Sequence, residues 1–142
     1  MAEVMIAVMP FHGHVAPMAA VTRAFVEAGH TVRVYTGAAH AARFEQLGAR
    51  VILWQSSPDF DEQQLDATFP ELRGRKGPRQ MLANLEHLFV RTGAAQCEDL
   101  EREFAAKPWD VIVADGLSLG AHLASERTVT PWVPSASYRW PC

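Results

Sequence analysis

Short runs of apolar residues alternate along the chain with stretches whose apolar residues recur every three or four positions. The run VMIAVM, Val4 to Met9, contains no polar residue, which is typical of a parallel strand buried on both faces. Thr31 to Thr36, Arg50 to Trp54 and Asp110 to Asp115 are rich in β-branched and aromatic residues and predict three more strands. A fifth strand is expected to begin at Pro131 to Val133.

The stretches between these strands predict helices. They are Pro17 to Ala28, Ala38 to Leu47, Pro78 to Lys107 and Leu117 to Arg127. Pro17 suits a first helical turn, and the glycine that follows Ala28 suits a helix end. The long third helix is expected to break at Thr92-Gly93, and its apolar stripe comprises Met81, Leu85, Leu88 and Phe89.

The segment from Gln55 to Gly77 shows no sustained period and is rich in proline, glycine, serine and acidic residues. An irregular stretch of this length is usually functional or mobile.

The order of elements predicts an α/β fold, a doubly wound parallel Rossmann-like sheet with strand order 3-2-1-4-5. Strands one and four are then neighbours. In such folds ligands bind beyond the carboxyl ends of the strands, at the point where the strand order reverses.

Composition narrows the class of protein. The 142 residues suit one domain, and 49% hydrophobic with 20% charged residues is an ordinary globular balance. A net charge of -3 gives no indication of nucleic-acid binding, and no stretch is long enough for a membrane span. The two cysteines, Cys97 and Cys142, form no disulfide framework and suit a reducing compartment, so a cytoplasmic location is expected.

Three polar residues fall where the first and fourth strands end. His12 and His14 precede the predicted first helix, and Asp115 follows the fourth strand. Because adjacent strands lie about 4.8 Å apart, an imidazole and a carboxylate from these ends can meet. A His–Asp pair can act as a general base. Residues 116–120 read GLSLG, but Ser118 is not expected to sit at a nucleophile elbow, so the nucleophile is expected to come from the substrate.

Other interpretations of these residues stay open. A histidine before a helix can cap it or face solvent, and Asp115 can cap the helix that follows. His12 and His14 could begin a metal site with Asp115 or His122, although no further Cys/His cluster supports one, and no metal is expected. The remaining histidines, His30, His40 and His87, are expected to be solvated. The tryptophans Trp109, Trp132 and Trp140 are expected to be packing residues.

The loop after the first strand lacks a phosphate-binding sequence. PFHGHVAP contains neither G-x-G-x-x-G nor a Walker lysine. A dinucleotide or pyrophosphate is therefore not expected at this position.

These motifs together resemble the opening of family 1 glycosyltransferases, the UDP-glucuronosyl/UDP-glucosyltransferase superfamily, and in particular the bacterial macrolide-type enzymes. The segments that carry the resemblance are GHVAP, AGHTVRVYTG and DVIVAD with its trailing aspartate. The resemblance implies the N-terminal, acceptor-binding part of a GT-B architecture. It also implies an inverting transfer from a nucleotide sugar to an acceptor hydroxyl, without a metal, a cofactor or a covalent enzyme intermediate.

The resemblance also assigns roles to residues. His14 corresponds to the base of the family motif, and Asp115 to the aspartate that orients it. The acceptor, a polyketide, macrolide or phenolic molecule, is expected between the loop Phe11 to Ala16, the irregular Ser56 to Leu72 and the third helix. The acceptor-site residues expected on this basis are Phe11, His12, Gly13, Met81, Leu85 and Leu88.

Family members are much longer than this chain, and their nucleotide-sugar-binding domain has no counterpart in residues 1–142. The sheet is expected to be incomplete at its C-terminal side, with an exposed edge and a tail, SYRWPC, that carries little of the resemblance. The chain alone is therefore expected to be inactive. Two alternatives stay open, namely a stand-alone module that binds a small molecule or partner, and a flavodoxin-like or epimerase-like domain.

Overall fold

A computed structural model describes residues 1–135, and these form a single parallel five-stranded sheet with helices on both faces. The strand order is 3-2-1-4-5, which confirms the predicted topology. The strands are β1 (Glu3–Ala7), β2 (Thr31–Thr36), β3 (Arg50–Leu53), β4 (Val111–Asp115) and β5 (Trp132–Ser135). The predictions for the tail SYRWPC, including Trp140 and Cys142, lie outside the described residues.

The apolar run at β1 is buried on both sides of the sheet. Val4 and Ile6 pack into a cluster with residues of the helix between β1 and β2, whereas Met5, Ala7 and Met9 pack into a second cluster on the opposite face. Because alternate residues of a strand face opposite ways, a strand covered by helices on both faces needs apolar residues throughout.

The first helix, α1 (His12–Glu27), begins five residues before the predicted start at Pro17. Its N-cap residue, Phe11, is extended, and Pro17 lies inside the helix. Since proline has no N–H, the helix lacks the bond that position 17 would donate to the carbonyl of Gly13. His12 and His14 therefore belong to the first turn of α1 rather than to a preceding loop.

The two connections on either side of β3 contain only short helical pieces. A 3₁₀ turn, Ala38–His40, leads into α2 (Ala41–Glu45) before β3. The segment after β3 contains α3 (Leu65–Thr68) between two further 3₁₀ turns, Glu62–Gln64 and Pro70–Leu72. Although this segment shows no sequence period, it is anchored in the core by three buried side chains, Phe60, Phe69 and Leu72.

A continuous helical segment crosses from this region to β4. It comprises α4 (Gly77–Asn84), a π-helical stretch (Leu85–Val90) and α5 (Arg91–Ala106). The predicted break at Thr92-Gly93 is wrong, because both residues are buried inside α5. A Cβ atom at Gly93 would lie 3.5 Å from Cβ of Leu119, an ordinary contact distance, so this residue lies where a neighbouring helix packs on α5.

That neighbouring helix is α6 (Leu119–Thr128), which packs on α5 and leads into β5. Trp109, which precedes β4, is 3% exposed, and half-buried Trp132 stacks on His122, so these two tryptophans pack as predicted. Cys97 is a buried free thiol. Within residues 1–135 no helix is both long and apolar enough to cross a membrane.

Candidate functional site

Asp115 lies at the carboxyl end of β4 with 1% of its surface exposed. Its Oδ2 accepts a hydrogen bond from the backbone N–H of Met9 at 2.6 Å, and its Oδ1 accepts one from Leu117 at 2.9 Å. One donor comes from the end of β1 and the other from the turn before α6. The carboxylate is therefore oriented by backbone on two sides. Asp115 is not the N-cap of α6, a position that Ser118 occupies.

His14 faces this carboxylate from the first turn of α1. Its Nδ1 lies 3.1 Å from Oδ1 of Asp115, and 19% of the His14 side chain is exposed. The ring orientation leaves this contact outside ideal hydrogen-bond geometry, and the buried Nδ1 has no other partner among the described residues. At 3.1 Å the two atoms are nevertheless within hydrogen-bond distance of each other. A proton on Nδ1 then faces the carboxylate, and Nε2 keeps the lone pair that a general base needs.

An apolar cavity of about 280 Å³ opens beside this pair. It is lined by Phe11, Gly13, His14, Leu65, Asn84, Leu88 and Phe89. Its volume lies near the lower end of the range of about 300–1,000 Å³ found for small-molecule sites. A cavity with few polar groups, one of which is a potential base, is suited to an apolar molecule that carries a hydroxyl.

Phe11 connects the cavity wall to the core. Its ring lies 5.6 Å from that of Phe89 in a stacked arrangement, 5.2 Å from that of Phe60 and 5.6 Å from that of His14, measured between ring centroids. Aromatic contacts of this kind add to the stability gained by burial. The side chain before α1 thus positions both the apolar wall and the imidazole.

The structure separates the predicted acceptor residues into three places. Phe11, Gly13 and Leu88 line the cavity beside His14. Met81 and Leu85 line an adjoining cavity of about 330 Å³ that shares Asn84 and Phe89 with the first. His12 belongs to neither cavity.

Sequence reasoning did not name Asn84 or Phe89 as site residues, and it covered Leu65 only as part of the irregular Ser56 to Leu72 wall. Asn84 lies three residues after Met81 and four before Leu88, so the helical spacing of the stripe could have indicated it. Leu65 belongs to the segment without a period, where no such pattern exists.

His12 instead contacts two residues from later connections. Its Nδ1 contacts Oε1 of Glu62, and its backbone N–H donates to the same oxygen at 3.0 Å. Its ring lies edge-on to that of His40, with 4.9 Å between centroids. A metal site of His12 and His14 with Asp115 or His122 is not formed, because the two neighbouring histidines have different partners.

The prediction that His40 and His87 are solvated is wrong. The two residues are 8% and 9% exposed. Burial is the main cause that lowers the pKa of His40, and the nearby His12 adds to it. His40 follows β2 at the carboxyl edge of the sheet, so packing against α1 covers it.

Comparisons with known proteins relate this fold to the N-terminal Rossmann-like part of GT-B glycosyltransferases. Over 139 residues the chain is 36% identical to 4'-demethylrebeccamycin synthase of Lentzea aerocolonigenes. The aligned region covers 96% of this chain and 33% of that protein. The chain is also 28% identical over 123 residues to UDP-glucosyltransferase A1 of Starmerella bombicola, and that alignment covers 80% of this chain and 26% of the other protein. No protein-family model matches the sequence.

Solved structures agree on the fold. The calicheamicin glycosyltransferase CalG4 superposes with a TM-score of 0.76 at 23% identity, covering 94% of this chain and 32% of CalG4. The Streptomyces glycosyltransferase SsfS6, complexed with thymidine diphosphate, superposes with a TM-score of 0.72 at 19% identity. The match covers 95% of this chain and 38% of SsfS6. The chain thus spans about a third of the length of its relatives. The resemblance to glycosyltransferases is confirmed, and the chain corresponds to an N-terminal portion of them.

Proposed function

We propose that this chain is the acceptor-binding, base-bearing part of a cytoplasmic glycosyltransferase. The complete enzyme would transfer a hexose from a UDP- or TDP-sugar to a hydroxyl of a small apolar acceptor, with inversion at the anomeric carbon. The observation that carries the proposal is the contact between His14 and buried Asp115 at the mouth of an apolar cavity.

In the proposed reaction Nε2 of His14 removes the proton of the acceptor hydroxyl. The acceptor oxygen attacks the anomeric carbon, and the bond from that carbon to the nucleoside diphosphate breaks with its electron pair going to the leaving group. Asp115 stabilises the imidazolium that forms and keeps the proton of the ring on Nδ1. A single displacement of this kind inverts the anomeric carbon and needs no covalent enzyme intermediate.

The walls of the cavity support an acceptor of polyketide, macrolide or phenolic type. Phe11, Leu88 and Phe89 supply apolar surface, and Asn84 adds a polar side chain next to His14. Because the adjoining cavity shares Asn84 and Phe89, a larger acceptor can extend along α4 over Met81. The name of the Lentzea relative, 4'-demethylrebeccamycin synthase, supports a small-molecule acceptor.

The donor is placed mainly outside residues 1–142. The loop after β1 lacks a phosphate-binding glycine pattern, and the chain covers about a third of relatives whose crystal structures include one complexed with thymidine diphosphate. The nucleotide sugar is a co-substrate in this proposal, and no cofactor or metal takes part in the transfer. The chain alone should therefore give no turnover.

The test uses a polypeptide that carries a donor-binding half, either the native protein or this chain joined to the C-terminal part of the Lentzea relative. Transfer from UDP-glucose and TDP-sugars to phenolic and macrolide acceptors is measured for the unchanged sequence, His14→Ala and, as a control, His122→Ala. His14→Ala should lower the rate by about 10²–10⁴, the usual scale for a general base. Product from the 142-residue chain alone, above a His14→Ala control, would overturn the predicted inactivity.

The cavity also supports a second candidate, a module that binds a small molecule without catalysis, because its walls are formed within the described residues. Acceptor binding by this chain, together with transfer by the longer polypeptide, would favour the glycosyltransferase over the module. Binding that persists in His14→Ala, with no transfer by either polypeptide, would favour the module.

A further inference from the structure

We propose that His12, His40 and Glu62 form a binding site for a divalent transition metal of the zinc type, distinct from the His14–Asp115 pair. The three side chains come from α1, from the turn after β2 and from the segment after β3. Each offers one ligand atom, and these atoms lie within 4.8 Å of one another. Among residues 1–135 this is the one group of its kind.

The residue types match the preference of zinc. Zn²⁺ binds imidazole nitrogen and carboxylate oxygen at about 2.0–2.2 Å, so two ligand atoms on one tetrahedral ion lie roughly 3.4 Å apart. Because the present separations reach at most 4.8 Å, reaching that value takes a movement of about 1 Å, and the contacting atoms of His12 and Glu62 move apart to admit the ion. The His12 side chain is 67% exposed, so solvent leaves room for this adjustment.

His40 lies beside the other two residues. Its ring is edge-on to that of His12, with 4.9 Å between ring centroids, and Glu62 contacts the same His12 ring. Because His40 is buried, its ring is already held near the position from which it would bind an ion.

The charge of the ligand set also favours a divalent cation. The carboxylate of Glu62 supplies negative charge to a site whose other two ligands are imidazoles.

An ion at this site would connect the first turn of α1 with the connections that follow β2 and β3 at the carboxyl edge of the sheet. Glu62 lies three residues before Leu65, which lines the cavity beside His14. Metal binding would therefore hold the segment after β3 against the first turn of α1. A ligand that binds only the folded state stabilises it by mass action, so zinc should also raise the thermal unfolding midpoint.

The experiment measures Zn²⁺ binding to the full chain by competition with a chromogenic chelator, with stoichiometry from equilibrium dialysis. All proteins carry Cys142→Ser, which removes a thiol able to bind zinc by itself. The test variants are His40→Ala and Glu62→Gln. The matched controls are His122→Ala and Glu126→Gln, which change an exposed His–Glu pair whose atoms lie 3.4 Å apart on α6.

We expect one zinc per chain, and a dissociation constant that rises more than about tenfold in both test variants but not in the controls, since even outer-shell partners of metal ligands contribute 10–100-fold. Far-UV circular dichroism in metal-free buffer shows whether each variant is folded. If His40→Ala does not fold, half-buried Glu62→Gln decides the question. Absent binding, or equal affinity in Glu62→Gln and Glu126→Gln, would overturn the proposal.

Discussion

The backbone N–H of Met9 donates a hydrogen bond of 2.6 Å to Oδ2 of Asp115, and this bond joins the carboxyl ends of β1 and β4. Oδ1 of the same carboxylate accepts from Leu117 and faces His14. Asp115 therefore has a structural role and a proposed catalytic role at once. Experiments on this residue must separate the two.

Asp115→Asn should destabilise the fold. Both carboxylate oxygens accept a hydrogen bond from a backbone N–H group. An asparagine side chain has only one accepting oxygen, so the N–H group of either Met9 or Leu117 loses its buried partner. We expect a loss of about 1–3 kcal/mol in the free energy of unfolding, measured by urea denaturation.

Asp110→Asn is the matched control at the other end of the strand. Oδ2 of Asp110 accepts the N–H of Glu3 at 2.7 Å in an exposed position, and an asparagine oxygen can accept it equally well. Its loss should stay within about 0.5 kcal/mol. Equal losses in the two variants would show that the carboxylate of Asp115 is not specially required by the fold.

The ionised carboxylate of Asp99 should stabilise the fold, and this contribution to the free energy of unfolding should be lost at acid pH. Burial alone would raise its pKa, but hydrogen bonds from the backbone of Gln55, the hydroxyl of Tyr35 and the backbone of Ser56 outweigh burial and lower the pKa from 3.8. The ionised carboxylate therefore stabilises the fold fully above pH 3.8. This contribution is lost as the pH falls through the lower, folded-state pKa.

Tyr35→Phe tests this assignment. The Tyr35 hydroxyl donates to Oδ2 of Asp99 at 2.7 Å, so its removal should cost about 1.5–3 kcal/mol and raise the pKa of Asp99. Urea midpoints measured from neutral pH downward should begin to fall at a higher pH in the variant than in the unchanged chain. Identical acid profiles would mean that Asp99 does not control this component.

Two glycines in helices should respond oppositely to alanine. A Cβ atom at Gly120 would lie 2.7 Å from the carbonyl oxygen of Gly93 and 3.0 Å from the backbone nitrogen of Cys97, which α5 cannot accommodate without moving. Gly120→Ala should lower the free energy of unfolding by about 1–3 kcal/mol.

Gly13→Ala provides the comparison. A Cβ atom there meets nothing within 4 Å, and alanine is the better helix former by about 0.5–1 kcal/mol. This variant should fold at least as well as the unchanged chain. If it also binds acceptor more weakly, Gly13 is required by the ligand and not by the helix. A destabilised Gly13→Ala would contradict the open position described here.

Substitutions along the long helical crossover should separate packing from acceptor binding. Leu88 is 1% exposed, so Leu88→Ala should cost about 2–5 kcal/mol of stability. Met81 is 60% exposed, so Met81→Ala should change stability by less than about 0.5 kcal/mol.

Met81→Ala is therefore the cleaner test of the adjoining cavity. It should weaken the binding of large, macrolide-sized acceptors and leave the binding of small phenols unchanged, as measured by titration calorimetry. Equal effects on both acceptor sizes would show that the two cavities do not form one extended site.

The sequence by itself determined the sheet and the central pair of the site. A strand without polar residues must be buried on both faces, and the alternation of strands and helices then dictates the order 3-2-1-4-5. His14 and Asp115 follow neighbouring strands in that order. Their meeting could therefore be predicted before any side-chain packing was known.

Only the tertiary structure decided how the connections are arranged around that pair. The first turn of α1 at His12, the π-helical stretch at Leu85–Val90 and the grouping of His12 with His40 and Glu62 have no sequence period to indicate them. Gly93, which looks like a helix break in the sequence, is instead a contact point for α6. The physical reason is that hydrophobic periodicity and residue propensity indicate which face of a single segment packs against the sheet. The conformation of the connections depends instead on packing between segments that are distant in the sequence.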